Sequence, residues 1–228
     1  MFRTQSTDNL DKLKELFTYR NISGTDELND DDFTFYSRIE QKKAFIKFAY
    51  IGDDSLYLPK LSHGQKSLPP GGWKLHIAID DKNPENIVKA WDIIKDILID
   101  QRIAEAKVIK PGVSFASDVT QCGKQITIYQ FFNPERDWNA IIHEIELRLM
   151  RAEIHAGQFS PTDKPVTGSM YITYRNDLSE DSGHIIDSGK TMGFPEDKRY
   201  NPFERPDPFV DIKIQLQPEE TTDSGLKP

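Results

Sequence analysis

An α+β fold, with helices packed against a twisted, largely antiparallel sheet in a single domain, is what this chain predicts, and three observations carry the prediction. Several short segments read as strands. In Gly71-Gly72-Trp73-Lys74-Leu75-His76-Ile77-Ala78-Ile79, residues Leu75, Ile77 and Ile79 point one way and Lys74, His76 and Ala78 the other, the period-2 pattern of a half-buried strand. Two longer segments carry apolar residues at helical spacing instead. Each of these two is preceded by Asn-Pro-Glu directly after a strand, and the sequences beyond them diverge, so no internal repeat is present.

Taken in order, residues 8–19 predict a helix capped by Asp8, with Leu10, Leu13, Leu16 and Phe17 as its apolar stripe. Asn21 to Asp32 reads as a polar, solvated turn. Its run of three aspartates lacks the alternating ligands and central glycine of a calcium loop. Phe33, Tyr36, Ile39 and Glu40 suggest a short helix, and Ala44–Ile51 a strand. Residues 52–72, rich in Gly and Pro, form a loop leading to the Lys74/His76 strand. Asn83-Pro84-Glu85 starts a helix to about Asp100: Asn at the cap, Pro at the first helical position, Glu in the first turn. Strands follow at Ala106–Ile109 and Ile126–Phe131. Asn133-Pro134-Glu135 opens a second helix with Trp138, Ile142, Ile145 and Leu149 on its buried face. Met170–Tyr174 is a strand ending in Arg175-Asn176-Asp177. Residues 178–206 show no periodicity, a short element is expected at Pro208–Leu216, and 217–228 read as a disordered acidic tail.

Composition narrows the function. At 228 residues the chain can bury a sizeable core. With 37% hydrophobic and 29% charged residues and a net charge of −8, it does not suit a general binder of nucleic acid or anionic membrane. One cysteine, Cys122, excludes an intrachain disulfide and argues against a cysteine-rich zinc site. No apolar run is long enough for a membrane span, and the start lacks the apolar core of a signal peptide. A soluble protein of a reducing compartment is expected.

No phosphate-binding loop, dinucleotide fingerprint or nucleophile elbow occurs. His143-Glu144 has no second histidine at zinc-ligand spacing. His143 reads as solvated, and His63, His155 and His184 as surface residues. Cys122 reads as a small, structurally indifferent residue. What remains is a set of cations on different strands: Lys74 and His76 on one, Lys107 on another, Arg175 at the end of a third, with Tyr129 on a fourth. Two readings stand. These are scattered surface charges that never meet, or they converge on a phosphorylated substrate, whose dianion lysine and arginine hold while a histidine protonates the leaving oxygen. A lysine among other cations would have a lowered pKa and could serve as a base.

The same residues resemble the phosphothreonine lyases, bacterial effectors of the OspF/SpvC type. The resemblance rests on Gly72-Trp-Lys74-Leu-His76-Ile-Ala-Ile79, Ala106-Lys107-Val108, Gly123-Lys-Gln-Ile-Thr-Ile-Tyr129, Ile154-His-Ala-Gly157 and Tyr174-Arg175-Asn176-Asp177-Leu178 in the family's order. It covers roughly residues 30–180, with a weaker continuation at Asp207-Pro208-Phe209. It implies irreversible β-elimination of phosphate from a phosphothreonine or phosphoserine, with neither metal nor cofactor. By position, Lys107 resembles the general base and His76 the general acid. Lys74 and Arg175 would bind phosphate oxygens, Lys74 would depress the pKa of Lys107, and Tyr129 would orient substrate. The partner implied is a phosphorylated host protein, with a mitogen-activated protein kinase as the family precedent. The chain would be a monomer, secreted by a bacterium into the host cytoplasm or nucleus.

On this reading 1–29 is an N-terminal helix and acidic linker, 30–216 the lyase-like domain and 217–228 the tail. Two family arginines are replaced, by Val119 and by Ser182. Lys110, Lys124 or Lys198 could stand in without reproducing a bidentate arginine, and Arg199 could do so only from a folded-back loop. The family's basic-then-aliphatic docking segment is also missing, its place taken by an acidic amphipathic helix. A non-catalytic phosphoprotein-binding module is therefore the alternative, with a lyase of peptide maturation behind it.

Overall fold

Asn83 accepts a hydrogen bond from the Glu85 amide at 3.1 Å, and Pro84 stands where a helix has no amide to satisfy. The helix so started is α3 (Pro84–Asp100). The computed structural model describes residues 7–24, 27–30, 37–50, 73–103, 105–115, 117–118, 121–130, 136–176 and 207–215. Within them the other helices are α1 (Thr7–Leu16), α2 (Tyr19–Ser23) and α4 (Trp138–Arg151). The strands are β1 (Glu27–Asp30), β2 (Ser37–Gln41), β3 (Phe45–Tyr50), β4 (Trp73–Ile77), β5 (Glu105–Ile109), β6 (Ile126–Tyr129), β7 (Lys164–Pro165) and β8 (Ile172–Asn176). They form one sheet in the order β1-β2-β3-β5-β6-β4-β8-β7, antiparallel at every pairing. The architecture is the expected α+β.

Alternation decides which face the helices cover. Leu75 and Ile77 on β4, Ala106 and Val108 on β5, Ile126 and Ile128 on β6, and Ile172 and Tyr174 on β8 are all buried. They share one core with Ile87, Trp91, Ile94 and Leu98 of α3 and Ile141, Ile142, Ile145 and Leu149 of α4. Leu13 and Phe17 add the α1 end, where the Trp91 indole donates to the Phe17 carbonyl at 2.9 Å.

Four local expectations fail. The helix expected over 8–19 is interrupted at Phe17-Thr18, between α1 and α2. Residues 33–40 form no described helix: Ser37–Gln41 is β2, with Ile39 paired to Leu28 on one side and to Phe48 on the other. Pairing on both edges outweighs a weak helical spacing. The expected turn at 21–32 contains the end of α2 and all of β1. Finally, α4 starts at Trp138 behind Asp137, whose carboxylate accepts from the Ala140 amide at 3.0 Å. Asn133-Pro134-Glu135 lies outside the described residues, as do 52–72, 178–206 and the 217–228 tail. The short element at 208–216 is a turn with a bridge from Lys213 to Thr167.

After α4 the chain folds back against the end of β4. Asp80 donates to the His155 carbonyl at 2.9 Å and Gly157 to that of Ala78 at 3.0 Å. A Cβ at Gly157 would lie 2.6 Å from the Ile79 oxygen, so only glycine fits this approach. The segment beyond it carries Asp163 to the sheet face that the helices leave uncovered.

Candidate active site

Register, more than any single motif, assembles the site. Residues directly opposite in neighbouring strands share a face. Lys107 on β5 lies opposite Thr127 on β6, Thr127 opposite His76 on β4, and His76 opposite Thr173 on β8. The adjoining row runs Tyr129, Lys74, Arg175 across β6, β4 and β8. All five residues nominated from the sequence therefore stand on one face in two neighbouring rows. Lys47 on β3 extends the first row beyond Lys107 and pairs with Glu105 at 3.0 Å.

This face is not the solvated one that its polar residues suggest in isolation. His76 is 2% exposed, and Thr127 and Thr173 are fully buried. Asp163, whose side chain has no exposure, accepts from or shares a proton with His76 Nδ1 at 2.7 Å. Thr173 Oγ1 donates to the same oxygen at 3.5 Å, Thr162 Oγ1 to the other at 3.2 Å, and Arg175 lies 3.7 Å from that second oxygen. The arrangement holds the imidazole by Nδ1 and directs Nε2 away from the carboxylate.

Burial and like charge tune the lysines. Lys107 is pushed down to about 8, by burial first and then by the charges of Lys124 and Arg175. Its ammonium lies 4.0 Å from the Phe45 ring centroid, a contact that favours the charged form and so opposes that shift. Lys74 is likewise pushed down to about 8 by burial, Lys107 and Arg175, and sits 5.1 Å from the centre of the Tyr129 ring. Burial and then Glu105 push Tyr129 up to about 12, so it remains a neutral phenol. Burial opposes the Asp163 charge, but His76, Lys124 and Arg175 together hold its carboxyl below the usual range. His76 is pushed down to about 4, because burial outweighs the pull of Asp163. An ionised Asp163 gripping a largely neutral imidazole is the state these directions define.

Asp163 escaped the sequence reading, because the Ser160-Pro161-Thr162-Asp163 run has no periodicity and its partner is 87 residues away. Of the proposed substitutes for the missing arginines, Lys124 is 5% exposed and its charge acts on Lys107, Lys74, His76 and Asp163. Its turn is pinned: Gly123, at φ +75°, would set a Cβ 2.9 Å from the Gln158 carbonyl. Cys122 beside it is buried, with Sγ 3.6 Å from the Phe159 oxygen. Lys110 instead borders a separate cavity of about 240 Å³ that Tyr19, Ile87, Val88 and Val113 also line. Val119, Ser182, Lys198 and Arg199 lie outside the described residues. Among the described residues no cluster of three or more His, Cys, Asp and Glu could hold a metal ion. No described helix is long and apolar enough to cross a membrane.

An antiparallel sheet covered by helices on one face and lined by cations on the other defines the class of fold. Solved structures give that class its known examples. The phosphothreonine lyase SpvC, an effector protein from Salmonella, matches with a TM-score of 0.51 at 15% identity, over 77% of this chain and 91% of its own. OspF from Shigella flexneri, a type III effector and phosphothreonine lyase, matches at 0.48 and 19% identity, over 75% and 89%. The Chromobacterium violaceum VirA (SpvC) phosphothreonine lyase effector matches at 0.49 and 17%, over 88% and 100%. No protein-family model and no curated protein matches the sequence. The fold of this chain is that of SpvC.

Proposed function

We propose that this chain is a divergent phosphothreonine lyase that removes phosphate irreversibly by β-elimination from a phosphorylated protein. The observation that carries the reading is the common face of Lys107 and His76, two strands apart, with Lys74 and Arg175 in the next row. Lys107 takes the Cα proton of the phosphorylated residue, and a lowered pKa supplies neutral amine near pH 8. The electron pair of that C–H bond forms the Cα–Cβ double bond as the Cβ–O bond breaks, and the leaving oxygen takes its pair and a proton from His76. The products are a dehydrated residue and free phosphate.

His76 has to be charged for that step. A phosphate dianion beside it, added to Asp163, offsets burial and raises its pKa, so substrate binding brings proton uptake. Lys74, Arg175 and Lys124 hold the phosphate oxygens and stabilise charge on the departing group. Tyr129 orients substrate by hydrogen bonding. On this reading the protein acts on a host phosphoprotein, such as a mitogen-activated protein kinase, after delivery from a bacterium.

Mass spectrometry of one treated phosphothreonine peptide tests the chemistry. The expected product has lost the elements of phosphoric acid. A product with its hydroxyl restored would instead mean a phosphatase. The replacement of two family arginines by Val119 and Ser182 favours a second reading, a module that binds phosphoprotein without turnover. A peptide that binds and is recovered unchanged would establish it.

A further inference from the structure

Two threonines flank His76, and the structure treats them differently. Thr173, on β8, spends its hydroxyl on Asp163. Thr127, on β6, is equally buried, yet its Oγ1 has no hydrogen-bond partner among the described residues. Gln125, just before the strand, has both ends of its amide engaged, with the Ile79 amide and with Asp81. A buried hydroxyl left unpaired is destabilising, because it gives up its hydrogen bonds to water and gains none. Valine has the same shape and suits a strand equally well, without that cost.

Thr127 also occupies the one position directly between Lys107 and His76. Neighbouring strands lie about 4.8 Å apart, so the two backbones are separated by roughly 10 Å, with Thr127 midway. The longer lysine and histidine side chains rise on either side of this short one and leave it with no exposure, so an oxygen reaches its hydroxyl only when the half-buried Lys107 side chain shifts. The surrounding charges of Lys74, Lys107, Lys124 and Arg175 favour a negatively polarised oxygen beside that hydroxyl.

We infer that Thr127 is a further substrate-contacting residue, its hydroxyl donating to an oxygen of the phosphorylated residue held between Lys107 and His76. The inference rests on the proposed substrate class and deepens it: the missing partner arrives with the substrate. It also assigns Thr127 a share in aligning the Cα–Cβ bond between base and acid.

The test measures affinity for a phosphothreonine peptide in the Lys107→Ala background, where turnover cannot intervene, with the thermal midpoint of each variant alongside. Adding Thr127→Val is expected to weaken binding about ten-fold or more, as loss of a hydrogen bond to a charged group does. Its midpoint should equal or exceed that of the parent, because an unpaired hydroxyl has been replaced by a methyl. Adding Thr127→Ser should leave affinity within about three-fold of the parent, since the donor remains. Unchanged affinity in the valine variant would overturn the inference, and so would weaker binding accompanied by a lower midpoint. Product analysis on the unmutated chain is read separately. Without a dehydrated product the lyase reading fails, while the affinity of the valine variant still decides the role of Thr127.

Discussion

The two faces of the sheet are built from the same strands, one residue out of step. Leu75 and Ile77 point to the helices, and Lys74 and His76 point to the other side. At the centre both faces are equally dry, since Leu75, Ile77, Thr127 and Thr173 have no exposure and His76 has 2%. Burial on the helix face lowers the free energy of the fold, because apolar surface leaves water. Burial on the opposite face raises it, because like charges are desolvated together and the lysines are driven toward their neutral forms. Equal burial thus acts in opposite directions: the helix face supplies stability, and the cationic face draws on it to hold its lysines at lowered pKa values.

Substitutions on either face should break that pattern in different observables. If the proposed elimination holds, Lys107→Ala should have the largest effect, a loss of turnover of about 10³–10⁴-fold by product analysis, with phosphopeptide binding still measurable. Asp163→Asn keeps the shape beside His76 and removes the charge. Turnover should fall about 10²–10³-fold, because an imidazole pushed down by burial loses its main support for protonation. Leu75→Ala belongs to the other face and should cost about 3 kcal/mol in urea unfolding, while the folded fraction binds phosphopeptide as before. A matching loss of affinity would mean that the two faces are not independent.

Lys124→Gln should be the mildest of the four and the most diagnostic. Removing its charge raises the pKa of Lys107, so less neutral amine is present at a given pH below the plateau. The acid limb of the rate profile, rising toward about pH 8 in the parent, should move to higher pH, and KM should rise about ten-fold. The linkage runs the same way. Lys107 and Lys74 have folded pKa values of about 8 against ordinary values of 10.5, so the unfolded chain binds more protons between those limits. Stability should therefore rise with pH through that window, and less steeply in the Lys124→Gln variant. Thermal unfolding across the window checks it, and a flat profile would count against a clustered cationic face.

Local rules alone settled a good deal. Asn83-Pro84-Glu85 with Ile87, Trp91, Ile94 and Leu98 specifies α3 to its boundaries, since capping and 3.6-residue spacing involve neighbours in the chain. The period-2 alternation of Leu75 and Ile77 with Lys74 and His76 likewise set which side chains share a face. The five site candidates became more than scattered charges only through the family resemblance, because no spacing within the chain says that β5, β6, β4 and β8 lie side by side. Strand order and register decided that, through pairings between residues far apart in sequence. They also turned Ser37–Gln41 into a strand, seated Asp163 on His76, brought the charge of Lys124 to the cationic face and left Thr127, between Lys107 and His76, without a partner among the described residues. Periodicity reports which way a side chain points. What it meets there depends on segments brought together only by folding.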